Sequence, residues 1–239
     1  MKRLLLTLGL LMLALPASAQ QFSLDLGDGG STTSRMVQLI VLITVLSIAP
    51  AILVTVTSFT RIVVVLSFLR QAMGTTTSPP NMVMISLALF LTAFVMSPTL
   101  EAVYNDALQP LMSNRIDEME AFTRATKPIS AFMLKQVRDK DIKLFFDLSH
   151  TQMVDKPEDT PLQLLIPAFM ISELRRAFEI GFLIYLPFLV IDMLVASVLM
   201  SMGMMMLPPA TFSLPFKLIF FVLVDGWYLI TGSLVQSFG

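Results

Sequence analysis

The chain has 239 residues, of which 55% are hydrophobic and only 14% charged, and its mean hydropathy is +0.78. Soluble domains carry about 25% charged residues, so this composition excludes a solvated globular protein. The formal charge of -1 excludes an electrostatic nucleic-acid binder, which needs a basic surplus. Cysteine is absent and His150 is the single histidine. Disulfides, redox thiols and metal cages of cysteine or several histidines are therefore excluded.

The N-terminus has the pattern of a secretory signal. Lys2-Arg3 precedes an apolar stretch from Leu4 to Leu15, and Ala17-Ser18-Ala19 follows the small-x-small cleavage pattern. The apolar stretch is too short to cross about 30 Å of hydrocarbon, which favours a cleaved signal over an uncleaved first membrane helix. We therefore predict a signal peptide at residues 1–19, followed by a glycine-rich linker at 20–35.

Four apolar segments follow, and each is long enough to form a helix that crosses a membrane. Their length far exceeds that of ordinary strands, so they predict an all-α fold of membrane-type helical hairpins. Proline interrupts several of the segments and predicts kinked or broken helices. The segments are Met36–Thr60, Met82–Leu100, Ile180–Met206 and Thr211–Phe238, and the prolines are Pro50, Pro98, Pro167, Pro187 and Pro215.

The pattern M-G-x-x-x-x-P-P occurs twice, at residues 73–80 and 202–209, each time between two apolar segments. Glycine can end a helix and Pro-Pro cannot continue one, so each copy predicts a hairpin tip. A true duplication and a coincidence of four matched positions both remain open. The pattern predicts a first apolar hairpin at residues 36–100 and a second at 166–239.

Two thirds of the charged residues lie between Glu101 and Arg176. We interpret residues 101–165 as a polar, amphipathic helical segment. If the signal is cleaved, the tip that follows Arg61 and Arg70 faces the cytoplasm, in line with the positive-inside rule, and the polar segment lies on the periplasmic side.

Within the polar segment, Lys127-Pro128 predicts a helix start, because proline is tolerated in the first turn. The mixed charges of residues 138–143 predict a solvated face, and we expect His150 in a loop near a helix end. Apolar residues at helical spacing predict a stripe that packs on neighbouring helices. They are Ile129, Phe132, Met133, Val137, Ile142, Phe145 and Phe146.

Charged residues in apolar surroundings are candidate functional residues, because an ionisable group at membrane depth is costly unless it is paired. One hypothesis pairs Glu173 with Lys217 between helices or between copies. The alternative places both at the lipid headgroups, where lysine snorkels. A proton relay through Asp192 is disfavoured, because no second acid or histidine lies at helical spacing from it. The candidates for helix or subunit ion pairing are Arg61, Glu173, Asp192 and Lys217, with Glu179 and Asp225 as further buried-charge candidates.

The sequence contains no phosphate-binding glycine loop, no H-E-x-x-H and no G-x-S-x-G motif. We therefore expect no enzymatic activity, no cofactor and no metal.

Several long stretches follow one another in an order found in a known family. They are residues 50–74, 79–81, 87–92, 132–136, 169–204, 213–217 and 225–227. In these stretches the chain resembles the FliP family, the P subunit of the bacterial flagellar type III export gate, which is related to injectisome export subunits.

The resemblance implies that several copies, together with Q-type and R-type subunits, form the channel through which flagellar rod, hook and filament proteins cross the inner membrane. It implies a multi-pass protein at the flagellar basal body, whose partners are other export-apparatus membrane subunits, the basal-body ring, exported unfolded proteins and membrane lipid. It also implies that much of the helical mass lies above the bilayer plane. Two alternatives remain: a structural seed that does not line the path, and a small-solute or ion transporter with broken helices.

The second hairpin tip holds five methionines in seven residues, Met200 to Met206. One interpretation is ordinary packing of flexible side chains. If several copies surround a passage, the same side chains would form a ring that closes against water and ions and deforms around an exported chain. We therefore predict that Met204, Met205 and Met206 form a gasket, with Gly203 allowing the tip to bend.

Overall fold

The structure is a computed structural model that describes residues 32–204 and 206–239. These residues form helices and turns without a strand, which confirms the all-α class. The predicted signal peptide, residues 20–31 of the predicted linker, and Met205 of the predicted gasket lie outside the described residues. The helices are α1 (Thr32–Val56), α2 (Phe59–Ala72), α3 (Asn81–Val103), α4 (Gln109–Met112), α5 (Glu118–Gln136), α6 (Asp139–Leu148), α7 (Leu162–Ser201), α8 (Pro209–Leu223) and α9 (Gly226–Gln236).

Helix α1 begins at Thr32, three residues before the predicted end of the linker at 35. Its part up to Ser47 belongs to a separate unit, which we describe by itself. There the hydroxyls of Thr44 and Ser47 donate to the carbonyls of Ile40 and Ile43, at 2.7 and 2.8 Å. This bonding to the preceding turn satisfies the hydroxyls within an apolar helix.

The predicted broken helices are confirmed, but no break falls at a proline. All five prolines lie inside helices: Pro50, Pro98, Pro167, Pro187 and Pro215. The breaks fall instead at Thr57-Ser58, where segments 50–56 and 59–72 meet at 82°, and at Val224-Asp225, where α8 and α9 meet at 65°.

Two side-chain hydroxyls bond carbonyls at the first break, whereas the buried hydroxyl of Ser58 has no partner among the described residues. The hydroxyl of Thr57 donates to the carbonyl of Leu53 at 2.5 Å, and that of Thr60 donates to the carbonyl of Val54 at 2.6 Å. These carbonyls lie at the end of α1, where the helix no longer supplies backbone donors. The hydroxyls of Thr57 and Thr60 therefore satisfy two of the carbonyls that the bend leaves without backbone donors.

Helix α2 lies at the centre of the main core. Its buried residues Ile62, Val65, Leu66 and Leu69 are fully excluded from solvent. The helix packs most extensively against α7 and also against α3. Ala177 and Phe188 of α7, Met84 and Ala88 of α3, Phe221 of α8 and Leu234 of α9 belong to the same cluster.

The polar segment forms a second cluster against the start of α7. The predicted helix start at Lys127-Pro128 is wrong: α5 begins at Glu118, and Pro128 lies inside it. Asp117 caps this helix and accepts a hydrogen bond from the Glu120 amide at 2.7 Å, which is a stronger N-terminal signal than proline. The stripe of Ile129, Phe132, Met133, Val137, Ile142 and Phe145 packs with Leu165 and Phe169 of α7.

The predicted segment boundaries fall inside helices. Helix α3 continues past residue 100 through a π-helical turn, Tyr104–Leu108, into α4, and α7 begins at Leu162 rather than 166. The change between apolar and polar composition therefore does not coincide with the ends of the helices. His150 lies in a turn two residues after α6, as expected, with a φ of 53°.

Both M-G-x-x-x-x-P-P motifs form the predicted turns. Gly74 and Gly203 have left-handed φ angles of 77° and 74°, which glycine adopts without steric cost. Each turn closes the preceding helix with the same paired hydrogen bonds of a Schellman motif. They run from the amides of Gly74 and Thr75 to the carbonyls of Gln71 and Arg70, and from the amides of Gly203 and Met204 to those of Met200 and Leu199.

By length and composition, two helical stretches of the described residues could cross a membrane: residues 81–112 and 162–201. The number rises to four if each bent helix pair counts as one span. Many large apolar side chains of these helices are exposed. The chain therefore presents extensive apolar surface for lipid or for other subunits.

Candidate functional site

Arg61 of α2 and Glu173 of α7 form an ion pair in which both side chains are 0% exposed. Arg61 Nε donates to Glu173 Oε2 at 2.8 Å, and Arg61 Nη2 donates to the other carboxylate oxygen. This two-point contact uses the planar fork of the guanidinium. It joins the two helices that form the largest packing contact of the fold.

The remaining donors of Arg61 bind the C-terminal residues and α5. Nη1 donates to the carbonyl and hydroxyl oxygens of Ser237, at 2.9 and 3.0 Å, and Nη2 donates to Gln136 Oε1 at 3.0 Å. With the two bonds to Glu173, all five guanidinium N–H groups have acceptors. The guanidinium carbon also lies 3.7 Å from the ring centre of Phe238, within the range of a cation–π contact.

Gln136 extends this network to a second arginine. Its side-chain nitrogen donates to the carbonyl of Phe238 at 3.0 Å, and its side-chain oxygen also accepts from Arg176 at 3.1 Å. One buried carboxylate, one buried guanidinium and one amide thus connect α2, α5, α7 and the residues after α9. A buried charge pair of this kind is stable only when its remaining polar atoms are also bonded, as they are here.

A second ion pair joins Lys217 of α8 to Asp192 of α7, with Nζ 2.7 Å from Oδ2. Ser213 donates to the other carboxylate oxygen of Asp192 at 2.5 Å. Lys217 is buried, whereas about a third of the Asp192 side chain is exposed, at 34%. The pair therefore lies at the edge of the helix packing rather than in its centre.

Lys217 also reaches the first hairpin tip. Its Nζ donates to the carbonyl of Ala72, the last residue of α2, at 3.1 Å. A cation is favoured at this position, because unbonded carbonyls and the helix dipole make the C-terminal end negative. Lys217 thus ties the tip after α2 to both helices of the second hairpin.

The hypothesis that Glu173 pairs with Lys217 is wrong within the described chain. Glu173 pairs with Arg61, and Lys217 pairs with Asp192. Helical spacing could not reveal these partners, since Arg61 lies 112 residues from Glu173. The four residues selected as ion-pair candidates therefore form two pairs, each across a helix contact. Glu179 pairs locally with Arg175 at 2.7 Å on an exposed face.

Comparison with known proteins decides the family. A sequence profile described as the FliP family matches residues 42–234. The chain belongs to the FliP family. It is 59% identical over 227 residues to the flagellar biosynthetic protein FliP of Caulobacter vibrioides, which covers 94% of this chain and 85% of that protein. It is 58% identical over 208 residues to FliP of Bacillus subtilis, with 86% and 93% covered. Against FliP of Agrobacterium fabrum it is 51% identical over 245 residues, with both chains fully covered.

In this FliP-family chain the described methionines of the second tip are exposed. Met202, Met204 and Met206 are 59%, 43% and 98% exposed, and Gly203 has open space where a Cβ would stand. The predicted gasket residues that the structure describes, Met204, Met206 and Gly203, therefore lie on the surface of the single chain. The first tip instead presents Thr75, Thr76, Thr77 and Ser78.

A third polar contact lies in residues 138–143, whose mixed charges predict a solvated face. Asp141 of α6 is buried and accepts hydrogen bonds from Ser172 of α7 at 2.6 Å and from Arg138 Nε at 2.8 Å. Burial alone would raise the pKa of Asp141, but the hydrogen bonds from Ser172 and Arg138 outweigh it, and the pKa lies below its ordinary value of 3.8. This contact holds α6 against α7.

Three of the residues that contact the Arg61 guanidinium could not be predicted from charge. Gln136, Ser237 and Phe238 are neutral residues, and no charge pattern marks them. The single signal was the run Phe132–Gln136, which belongs to the stretches that resemble the family. The described residues contain no group of three or more acidic or histidine side chains able to hold a metal ion.

Proposed function

We propose that this chain is a core subunit of the flagellar type III protein export gate. Several copies form, with Q-type and R-type subunits, the channel through which flagellar rod, hook and filament proteins leave the cytoplasm. The observation that carries the proposal is the family match over residues 42–234, supported by relatives named flagellar biosynthetic protein FliP. The proposal makes the chain a transport subunit without enzymatic activity.

The two ion pairs give the subunit its rigidity in this role. The Arg61 network holds α2, α5 and α7 together with the C-terminal residues, and the Lys217 pair ties the first tip to the second hairpin. Neighbouring copies of a ring can meet in register only if each copy presents its surface in one conformation. The buried pairs therefore prepare the chain for assembly, whereas the channel path is formed by other residues.

The methionine-rich tip supplies the closure of the channel in this proposal. Met204, Met205 and Met206 of several copies converge into an apolar, deformable ring, which excludes water and ions by dewetting. The exposure of Met204 and Met206 in the single chain leaves them available for this contact. Gly203, at a left-handed φ of 74°, gives the turn its direction.

The proposed location is the bacterial inner membrane at the flagellar basal body, with a multi-pass arrangement. The two to four helical stretches that could cross a membrane support it. The bent pairs α1–α2 and α8–α9 need protein neighbours at membrane depth, because their breaks free backbone groups that lipid cannot bond. The basal-body ring, other export-apparatus subunits, lipid and the exported unfolded proteins are the expected partners.

A secretion assay tests this function. The gene is deleted, and hook protein in the culture medium is measured with and without plasmid-borne wild-type chain. We expect the secretion of hook protein to stop on deletion and to return with the plasmid. Normal hook secretion by the deletion strain would contradict the proposal.

A further inference from the structure

The bend between α1 and α2 contains no residue type that fixes a turn. Segments 50–56 and 59–72 meet at 82°, yet no glycine or proline occurs between Ala51 and Ala72. Ser58, at the bend, has helical φ and ψ angles of -67° and -5°. The break between α8 and α9 differs, because Asp225 has a left-handed φ of 50° there. Side-chain contacts rather than a fixed backbone turn therefore hold the first bend.

The hydroxyls along α1 follow one bonding pattern. Four of them, including one just past the end of the helix, donate to the carbonyl four residues earlier, at 2.5 to 2.9 Å. This is the usual bond of serine and threonine inside a helix. The four donors are Thr44, Ser47, Thr55 and Thr57.

The pattern stops at Ser58. The carbonyl four residues before it belongs to Val54, and that carbonyl accepts instead from the hydroxyl of Thr60, six residues later, at 2.6 Å. Ser58 is 0% exposed, and its hydroxyl has no partner among the described residues. A buried hydroxyl without a partner is destabilising. The bent arrangement therefore satisfies Thr60 and leaves Ser58 unbonded.

A helix that continued from α1 into α2 would satisfy both hydroxyls. Ser58 would stand one turn after Val54 and could donate to its carbonyl, as the four earlier hydroxyls do. Thr60 would reach the carbonyl of Val56 in the same way. The helical φ and ψ of Ser58 already suit this arrangement. The hydroxyl residues at the bend are therefore compatible with a straight helix.

Packing favours the bend. Val56 is 9% exposed and belongs to the second cluster, with Met133 of α5 and Phe169 of α7. Straightening the helix would shift Val56 relative to these neighbours. Burying one valine side chain and bonding one buried hydroxyl contribute free energies of similar size. The two arrangements are therefore closely balanced.

We propose that Thr57-Ser58 is a hinge, about which residues 48–56 alternate between the bent arrangement and one that is continuous with α2. The hydroxyls of Thr60 and Ser58 compete for the Val54 carbonyl. Thr60 bonds it in the bent state, and Ser58 bonds it in the straight state. Such competition makes the junction an element with two discrete conformations. The inference goes beyond the proposed function and does not depend on it.

Distances between two spin labels test the hinge in the full-length chain, purified in detergent. The sequence has no cysteine, so Ile48→Cys and Gln71→Cys, both at exposed positions, can be labelled without background. The two positions are about 35 Å apart in a continuous helix and about 26 Å apart with the bend. Double electron–electron resonance resolves these distances. Labelled chains are diluted with unlabelled chains, so that only pairs within one chain contribute.

Thr60→Val removes the hydroxyl that holds the bent state. We expect the ratio of the long to the short distance to rise about fivefold or more. Adding Ser58→Ala should cancel the rise, because the straight state loses its bond and the bent state loses its unbonded hydroxyl. The matched controls are Thr55→Val and Ser47→Ala, whose bonds lie within α1 in both states. Neither control should change the ratio.

Val56→Ala tests the same balance from the packing side, and it also serves if Thr60→Val does not fold. It removes apolar burial from the bent state and should likewise raise the share of the long distance, again reversed by Ser58→Ala. A single distance of about 26 Å in both Thr60→Val and Val56→Ala would overturn the inference. An equal rise in Thr55→Val, or a long distance that Ser58→Ala leaves unchanged, would overturn it as well.

Discussion

Arg61 and Glu173 lie 112 residues apart in the sequence, yet their side chains are fully buried against each other and share two hydrogen bonds. The contact joins α2, the central helix of the core, to the 40-residue helix α7. Removing one partner leaves the other charge buried without compensation. Breaking such a pair costs about 3–5 kcal/mol, whereas replacing both partners with apolar residues is often close to neutral.

The first prediction follows from this asymmetry. Arg61→Met and Glu173→Leu should each lower the free energy of unfolding by about 3–5 kcal/mol and reduce the yield of assembled complex. The double variant Arg61→Met with Glu173→Leu should recover part of that loss, because no unpaired charge remains. Thermal unfolding in detergent and size-exclusion chromatography measure both effects. A double variant that is as unstable as the sum of the singles would contradict this account.

Lys217 supports a second prediction, about the first hairpin tip. Lys217→Met removes the donor to the Ala72 carbonyl and the partner of Asp192. Amide hydrogen exchange at residues 73–77 should accelerate about tenfold, since local opening of the tip becomes easier. Exchange in the second cluster, at Met133 and Phe169, should stay unchanged. Equal acceleration in both places would show a general loss of stability instead.

Gly181 gives a packing prediction with its own control. A Cβ at this position would lie 2.5 and 2.7 Å from ring atoms of Phe68 and 3.0 Å from its Cβ. Gly181→Ala should therefore destabilise the chain by about 1–3 kcal/mol through overpacking. Phe68→Leu should partly rescue it. Gly232→Ala, in a helix with open space around the site, should be neutral or stabilising by about 0.5–1 kcal/mol.

Asp141 predicts a pH dependence of stability. Its pKa is lowered in the folded chain, so the folded state holds this proton less tightly than the unfolded state. The stabilisation is then fully present above the ordinary value of 3.8 and is lost as the pH falls through the lower, folded pKa. The difference in Tm between wild type and Asp141→Asn should be constant near neutral pH and shrink below about pH 4. A difference that is unchanged down to about pH 2 would rule out this contribution.

The sequence predicted the features that depend on local pattern. Long apolar runs gave the all-α class, and the repeated glycine and Pro-Pro residues gave both hairpin turns. The cost of isolated charges in apolar surroundings selected Arg61, Glu173, Asp192 and Lys217. The structure confirms the all-α class and has a turn at each repeated motif. It also places the four charged residues in two ion pairs.

The features that depend on tertiary contact were not predictable. Which cation meets which acid is set by helix packing, so Glu173 was matched with the wrong partner. Proline predicted kinked or broken helices, but Pro167 and Pro187 lie inside α7 and the breaks fall at other residues. The charges around Asp141 predict a solvated face, but Ser172 of α7 donates a hydrogen bond to its carboxylate.

We propose that copies of this chain close a protein-conducting channel with their methionine tips. The most direct test of this proposal is the permeability of the inner membrane to ions and small solutes in cells that contain the assembled Met204→Ala, Met205→Ala, Met206→Ala gate. We expect a normal amount of assembled complex and a leak that wild-type gates lack, because alanine is too short to fill the ring. An assembled triple variant with wild-type permeability and growth would contradict the claim and leave these methionines as packing residues.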